Sequence, residues 1–365
     1  MYVRWLELAG FRNYTSLSFA PDPGLNALLG PNGQGKTSVL EALHILLTGR
    51  SFRTPRLAEC IGWDAGRAAL VGEVVEGGTA REVRLAVVAR GGGVDVQGVL
   101  CPWARAVSFQ AADLDLVTGE PQGRRAYLDG ATARLVPAHG EACRRYRLVL
   151  RQRARLLGDL AGRPDAGRLL DPWDEQLSSL GSEIVHRRLD GLGTLAAAAR
   201  EIREVLMPGA GALELRYAAT VEPEASVALT RDRLYAALAA GRARDLRCGL
   251  TLVGPHRDDL VVRLGRAAAG VAASRGEQRL LTLILRLAEA AGVRQRLGTS
   301  PVFVLDDLLS ELDRQARSRV LAWIRTQGQV LFSGTDGGPV PEGAVVWTVR
   351  NAEVGSPDAL VRGVA

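Results

Sequence analysis

The chain has 365 residues, of which 47% are hydrophobic, so it can hold two domains or one domain with a large insertion. Its net charge is +6 and its isoelectric point is near 9.5, a balance that suits a polyanionic partner without requiring one. The four cysteines show neither zinc-ligand nor disulfide-framework spacing, which favours a reducing cytosol. No uncharged run approaches the length of about eighteen residues that a membrane span needs, so the sequence predicts a cytoplasmic protein without a membrane partner.

The first predicted elements are short strands around a glycine-rich loop. Alternating residues 1–8 predict a strand, and the apolar run of residues 25–29 predicts a buried one. Residues 37–47 carry apolar side chains at helical spacing, and Gly49 ends the pattern. The loop between the second strand and the helix fits G-x-x-x-x-G-K-[ST] at every fixed position. Its residues are Gly30, Pro31, Asn32, Gly33, Gln34, Gly35, Lys36 and Thr37.

This loop predicts ATP and Mg²⁺ as cofactors. Glycines let consecutive backbone N–H groups wrap a phosphate chain, and the helix N-terminus adds partial positive charge. Lys36 is the only lysine among the 46 basic residues, and its ammonium would reach the β and γ phosphates. The Thr37 hydroxyl would hold Mg²⁺. The alternative is a turn that binds nothing, but the flanking strand and helix argue against it.

The composition of the chain changes twice. Residues 1–112 alternate strands and turns, whereas residues 113–249 are dominated by helical patterns, chiefly over 138–160, 173–206 and 223–240. Residues 250–365 return to strands, with a helix over 277–291. The sequence therefore predicts an α/β head assembled from both chain ends, with an inserted and mainly helical second lobe.

A second half of the site is predicted where the apolar strand of residues 302–305 ends in two acids. Asp306 is the candidate metal ligand, and Asp307 could orient or deprotonate the attacking water. Alone, an apolar run before an acid is a weak signal. Together with the phosphate loop it indicates a nucleotide hydrolysis site.

A third feature is the segment Ser274-Arg275-Gly276-Glu277-Gln278, which opens an amphipathic helix. It fits a capping box, in which Ser274 caps the helix while Glu277 reaches back. It equally fits an anion cradle at a helix N-terminus. The residues leave both interpretations open.

The order of these motifs, with Gln110 in Ser108-Phe109-Gln110 and a final Ser310-Glu311-Leu312-Asp313, resembles the ABC-type ATPase heads. Within that superfamily the chain resembles the bacterial RecF family of recombination mediators. Ser274 follows Lys36 by 238 residues, too far for a transporter nucleotide-binding subunit, and the insertion is too short for an SMC or Rad50 arm. The resembling segments are residues 8–14, 30–37, 49–53, 113–117, 124–129, 254–259, 274–278 and 305–313.

The resemblance implies a role for each candidate residue. Arg12, Asn13 and Ser38 would lie at the nucleotide held by the phosphate loop, and Gln110 would join Thr37 and Asp306 at the metal. Asp307, Lys36 and Gln110 would carry catalysis. ABC-type heads dimerise face to face, so Ser274, Gly276 and Gln278 would contact the nucleotide of a second copy.

Two departures from the ABC pattern bear on hydrolysis. Asp307 stands where these heads usually have a glutamate, and the switch histidine that they carry after the next strand is absent from residues 330–335. The shorter carboxylate reaches a water less well. We therefore expect a weak ATPase whose hydrolysis resets an ATP-held homodimer.

The resemblance also implies partners: double-stranded and gapped DNA, RecR with RecO, and RecA indirectly. DNA candidates are arginines spaced along one predicted helix face and in two further clusters. They are Arg144, Arg147, Arg151 and Arg155 with Arg145 and Arg153 alongside, then Arg50, Arg53 and Arg56, then Arg242, Arg244 and Arg247. Each cluster alone is more often a solvated face. The alternative function is an ATPase subunit that acts on a protein partner without binding DNA.

Overall fold

The structure is a computed structural model that describes residues 1–90, 93–101, 104–110, 113, 115–160, 163, 165–307, 312–336 and 340–355. The described residues form two compact units. The first is drawn from residues 1–113, 205–207 and 283–365, and the second from residues 114–204 and 208–282. Among the helices of the described residues, none is both long and apolar enough to cross a bilayer.

Strands predominate in the N-terminal part of the first unit. They are β1 (Tyr2–Phe11), β2 (Tyr14–Phe19), β3 (Leu25–Leu29), β4 (Arg67–Glu76), β5 (Thr79–Arg90), β6 (Gly93–Val99) and β7 (Ala106–Phe109), with helix α1 (Lys36–Thr48) after β3. The middle of the chain contains α2 (Asp115–Thr118), α3 (Pro121–Leu135), α4 (Pro137–Asp159), α5 (Ala166–Leu206), β8 (Leu213–Ala218) and α6 (Val227–Cys248). Then follow β9 (Asp259–Leu264), β10 (Ala267–Ala268), α7 (Ala269–Ala272), α8 (Arg275–Leu297), β11 (Val302–Leu305), α9 (Arg314–Ile324), β12 (Val330–Gly334), β13 (Val345–Arg350) and β14 (Glu353–Val354).

A six-stranded sheet organises the first unit. Its order is β14-β13-β3-β12-β11-β7, and every pair except β14 with β13 is parallel. Strand β11, which lies between β12 and β7, is buried along its whole length, as its uninterrupted apolar sequence requires for a strand covered on both faces. Because the strands are parallel, the carboxyl ends of β3, β12, β11 and β7 meet at one edge of the sheet.

Helix α1 lies between this sheet and a second, antiparallel sheet of order β2-β1-β4-β5-β6. Its apolar residues Val39, Leu40, Leu43 and Leu46 are fully buried, and Glu41 on another side of the helix is buried as well. A helix buried all round needs walls on both sides, and here both sheets supply them. The phosphate-loop helix is therefore the centre of this unit's core.

The second unit contains helices α3, α4 and α6 and a three-stranded sheet of order β10-β9-β8. The predicted boundary between residues 249 and 250 differs from this division, because residues 250–282 cluster with the middle of the chain. Strand β9 pairs antiparallel with β8 along six residues, which ties the later segment to the earlier one. Helices predominate in the middle of the chain, as the sequence predicts, but this three-stranded sheet was not predicted.

The predicted helix boundaries agree with the structure to different extents. The predicted helix over residues 138–160 is confirmed as α4. The predicted helix over residues 173–206 begins earlier, at Ala166, because α5 continues through Pro172. The helix predicted over residues 223–240 corresponds to α6, which begins at Val227 after the Ser226 cap and ends at Cys248 before Gly249.

The second unit contains a buried ion cluster around Arg153 of α4. This side chain is fully buried and donates from Nε to Asp174 Oδ1 at 2.8 Å and from Nη1 to Asp245 Oδ2 at 2.7 Å. Nη1 also donates to Thr251 Oγ1 at 2.7 Å. The cluster joins α4, α5, α6 and the segment after α6. Removing its one buried cation would leave carboxylates buried with less compensation.

We expect Arg153→Met to lower the free energy of unfolding of the second unit by about 3–5 kcal/mol, because Asp174 and Asp245 lose their shared partner. Urea denaturation followed by circular dichroism measures the change. Arg151→Met is the matched control, since Arg151 is exposed on the same helix and should change stability by less than about 0.5 kcal/mol. Equal unfolding midpoints for the two variants would contradict the role assigned to the cluster.

Candidate nucleotide-binding site

The candidate site lies at the carboxyl edge of the parallel sheet. Gly30 follows β3, Asp306 follows β11 and Gln110 follows β7, while Ser333 lies near the end of β12. Neighbouring strands are about 4.8 Å apart. The sheet order therefore gathers residues from widely separated parts of the chain, among them the phosphate loop and the acid pair that the sequence analysis singled out.

The phosphate loop has a conformation that its glycines allow. At Gly35, φ is +112°, and a Cβ there would stand 2.7 Å from the Tyr14 hydroxyl and 2.8 Å from Asn13 Nδ2. At Gly30, a Cβ would meet the Val349 carbonyl oxygen at 2.1 Å. Larger residues at either position would push the loop away from its neighbours. The crest of the loop, at Pro31, Asn32 and Gly33, is exposed.

Lys36 is held against the loop that precedes it. Its Nζ donates to the carbonyl oxygens of Gly30 at 2.7 Å and Pro31 at 2.8 Å. Burial lowers the pKa of Lys36, and the negative charges of Asp307 and Asp306 partly offset that shift. The only lysine of the chain thus lies beside the backbone that would surround a phosphate group.

Thr37 and Asp306 are in direct contact. Thr37 Oγ1 donates to Asp306 Oδ1 at 3.0 Å, and Ser333 Oγ donates to the same oxygen at 2.7 Å. The Asp307 backbone N–H donates to Ser333 Oγ at 2.8 Å, and Asp307 has a φ of +51°. Left-handed backbone at a residue other than glycine is strained and is found preferentially at functional sites. A hydroxyl and a carboxylate oxygen together form a donor set that fits Mg²⁺.

The backbone before Gln110 pairs with Asp306, and the side chain of Gln110 is held by a hydrogen bond to another loop. The Asp306 N–H donates to the Phe109 carbonyl at 2.9 Å, which places the start of Gln110 beside the acid pair. Gln110 Nε2 donates to the Phe52 carbonyl at 2.8 Å, and its N–H donates to Asp113 Oδ2 at 2.9 Å. The metal role inferred for Gln110 stays a prediction.

Arg12 and Asn13 flank the loop at the turn between β1 and β2. Arg12 donates in a fork to Glu41, from Nε at 2.9 Å and from Nη2 at 2.7 Å, and its Nη1 donates to the Glu59 carbonyl at 2.5 Å. The next residue but one, Tyr14, donates its hydroxyl to the Gly35 carbonyl at 3.3 Å. Asn13 thus lies beside Gly35 of the phosphate loop, whereas the side chain of Arg12 is held by Glu41 of helix α1 and the Glu59 carbonyl.

Three residues at the site escaped the sequence analysis. Ser333 connects the two acids, and Glu41 holds Arg12. The Asn351 N–H donates to the Gln34 side-chain oxygen at 2.6 Å and so fixes the loop from the far end of the chain. Only Glu41 left a signal, because it is a single carboxylate within an otherwise apolar helix.

The segment from Ser274 to Gln278 lies in the second unit, at the N-terminus of α8. Ser274 Oγ accepts from the Glu277 N–H at 3.3 Å, and Glu277 Oε2 accepts from the Ser274 N–H at 2.8 Å. The capping box is therefore confirmed. Ser274 and Gly276 are exposed, and their contact with a second copy stays a prediction. Leu114, Ser310 and Glu311, which belong to the resembling segments, lie outside the described residues.

The arginine stripe on α4, formed by Arg144, Arg147, Arg151 and Arg155, is exposed, and so is the neighbouring Arg145. The inclusion of Arg153 was wrong, because this residue is buried among acids. Arg242 also pairs with acids, Asp171 and Asp174. The residues of the stripe available at the surface are Arg144, Arg145, Arg147, Arg151 and Arg155.

His256, in the family-like segment of residues 254–259, has both ring nitrogens within hydrogen-bond distance of a partner. Nε2 lies 2.9 Å from the Thr251 carbonyl oxygen and Nδ1 lies 2.9 Å from the Tyr146 hydroxyl. Because a carbonyl can only accept, Nε2 carries the proton and Nδ1 accepts from Tyr146. Burial lowers the pKa of His256, which agrees with a neutral ring that fixes turn geometry.

Known proteins resemble this chain over nearly its whole length. A model of the AAA domain family matches residues 6–93. The chain is 34% identical to the DNA replication and repair protein RecF of Synechococcus sp. (strain JA-3-3Ab), over 99% of both chains. It is 36% identical to the protein of the same name from Streptomyces avermitilis, over 93% of this chain and 95% of the relative.

Solved structures agree with the sequence relatives. A structure of the recombination mediator protein RecF with ATP superposes with a TM-score of 0.85 at 26% identity, over 97% of this chain and 98% of the other. An SMC head domain from Pyrococcus furiosus superposes with a TM-score of 0.51 at 15% identity, over 97% of this chain and 95% of the other, which shows a shared fold.

The fold and the site together define a P-loop ATPase head of the ABC type, with the phosphate loop and the acid pair on one sheet edge. This agrees with the class inferred from the order of motifs. The chain belongs to the RecF family of DNA replication and repair proteins.

We expect Ser333→Ala to raise the Mg²⁺ concentration needed for half-maximal ATP binding by about fivefold. The change removes the hydroxyl that donates to the Asp306 carboxylate and accepts from the Asp307 N–H, a loss of about 1–3 kcal/mol for a buried group. Magnesium titrations with a fluorescent ATP analogue measure it. Ser333→Thr keeps the hydroxyl and is the control; a magnesium requirement unchanged in the alanine variant would contradict the assignment.

Proposed function

We propose that this protein is an ATP-dependent, DNA-binding recombination mediator that dimerises on ATP at gapped DNA. The observation that carries the proposal is the Thr37–Asp306 hydrogen bond, which joins the phosphate loop to the acid pair. The solved relative in complex with ATP supports the same ligand here.

Each residue has a proposed task in holding ATP and Mg²⁺. Lys36 neutralises the β and γ phosphates, while Thr37, Asp306 and Gln110 supply oxygens to the metal. The ion would neutralise charge that develops on the transferred phosphoryl group. Asp307 orients the attacking water, with a reach one methylene shorter than a glutamate would have. We propose a weak ATPase on that ground.

Dimerisation would complete the site. The signature residues Ser274, Gly276 and Gln278 lie at an exposed helix N-terminus, where the end of the helix favours anions. In the proposed dimer this helix faces the γ-phosphate held by the other copy. Hydrolysis removes that phosphate and opens the dimer.

We expect ATP with Mg²⁺ to convert monomers to dimers, and Ser274→Arg to prevent this conversion without loss of ATP binding, because a bulky cation replaces the small cap at the dimer face. Light scattering coupled to gel filtration measures the mass, and nucleotide binding is measured in parallel. Lys36→Met is the comparison variant, since it should lose binding and dimerisation together. ATP-dependent dimers of Ser274→Arg would exclude a nucleotide site that is completed by the second copy.

The exposed arginines of α4 are the proposed DNA contacts. Those at positions 144, 147, 151 and 155 recur along one helix face at a spacing that lets several guanidinium groups meet a phosphate backbone. Partner proteins in this proposal are RecR with RecO, and RecA is loaded as a consequence. The relative solved with ATP is described as part of the RecFOR pathway, which supports these partners.

We expect changing Arg144, Arg147 and Arg151 to Gln to reduce the slope of log affinity against log salt by about 3, since each lost phosphate contact removes about 0.9. Fluorescence anisotropy with gapped duplex DNA measures the slope. Changing Arg163, Arg231 and Arg233 to Gln removes the same charge from other exposed positions and should leave it unchanged. ATP-dependent dimers indifferent to DNA would favour the alternative, an ATPase acting on a protein partner.

A further inference from the structure

Glu41 is a fully buried carboxylate in the middle of α1, one turn after Thr37. Its Oε1 accepts from Arg12 Nη2 at 2.7 Å and from Ser51 Oγ at 2.5 Å. Its Oε2 accepts from Arg12 Nε at 2.9 Å and from Arg53 Nη1 at 3.2 Å. Burial raises the pKa of Glu41, but the hydrogen bonds and charges of Arg12, Ser51 and Arg53 outweigh burial and hold it below its usual value.

The first connection from Glu41 runs to Arg12. A guanidinium has five N–H donors, and Arg12 uses one on each of its three nitrogens to bind Glu41 and the Glu59 carbonyl. These bonds use one N–H on each terminal nitrogen and leave a second N–H there. The fork thus fixes both the position and the plane of those donors.

The second connection runs through Ser51 to Gln110. Ser51 Oγ donates to Glu41 and accepts from the backbone N–H groups of Arg53 at 2.9 Å and Thr54 at 3.1 Å. These bonds close a turn that contains Phe52. The Phe52 carbonyl in turn accepts from Gln110 Nε2 at 2.8 Å. A displacement of this turn would move the acceptor that orients the Gln110 amide.

We propose that Glu41 is a positioning residue that fixes Arg12 and Gln110 at the same time, so that one buried carboxylate aligns two separate sides of the nucleotide site. The proposal rests on the proposed function, because both residues are assigned to the nucleotide and its metal. The negative charge is essential to it. An amide in place of the carboxylate would direct N–H groups at the donors of Arg12 or Ser51.

A double-mutant cycle on Mg·ATP affinity tests the first connection. Glu41→Gln should raise the Kd for a fluorescent Mg·ATP analogue about tenfold in the wild-type background. In an Arg12→Gln background the same change should raise it less than about twofold, because the residue through which Glu41 acts is already gone. Equal effects in both backgrounds, or no effect in either, would overturn the proposal.

Ser51→Ala tests the second connection while leaving the Glu41 carboxylate and its fork with Arg12 in place. It should lower the hydrolysis rate about fivefold or more, because the turn that orients Gln110 loses its support while the Arg12 side keeps its fork. An unchanged rate would overturn this half of the proposal, even if Glu41→Gln failed to fold.

Cys60→Ala is the packing control. Cys60 is as buried as Glu41, and its thiol donates a weak hydrogen bond to Glu41 Oε1 at 3.6 Å, but its side chain is part of neither of the two connections described above. We expect the Kd for Mg·ATP and the hydrolysis rate of Cys60→Ala to equal those of the wild type. Losses as large as those of Glu41→Gln would show that Glu41 acts only through packing in the core. Different results would contradict the proposed function and the role of Glu41. A wild-type protein that does not bind Mg·ATP contradicts the proposed function, whereas wild-type binding with an unaffected Glu41→Gln contradicts this inference alone.

Discussion

The contact between Thr37 and Asp306 is the constraint on which the site depends. It joins the first turn of α1 to the end of β11, two elements separated by one strand of the sheet and by most of the chain. The bond can form only because β3, β12 and β11 are parallel and adjacent in that order. The fold is thus the means by which distant segments present a hydroxyl and a carboxylate at hydrogen-bond distance.

The hydrophobic core holds the phosphate loop and Thr37 in place through helix α1. Helix α1 is buried on every side between two sheets, so the loop at its N-terminus rests on a close-packed support. Glu41 and Ser333 supply the polar part of that support. Each satisfies groups from two or more segments, and a buried network satisfied in this way stiffens the residues that it joins.

Local patterns predicted the loop, its strand and its helix, and the apolar run ending in acids predicted β11 and its position in the site. Contacts between segments that are far apart in the chain could not be predicted from the sequence. The sheet formed by β8, β9 and β10 was missed because its two longer strands, β8 and β9, are separated in sequence by helix α6. Arg153 passed for a surface residue because helical spacing does not reveal acids on neighbouring helices. The capping box at Ser274 was predicted because it is local.

The most direct measurement is isothermal titration calorimetry of Mg·ATP into the wild-type protein and into Lys36→Met. If the loop, its solitary lysine and the acid pair form one nucleotide site, the wild-type protein binds one Mg·ATP per chain and the variant, folded to the same extent by circular dichroism, binds none. Binding of equal affinity by both proteins would contradict the account, because the nucleotide would then lie elsewhere than the edge of the parallel sheet.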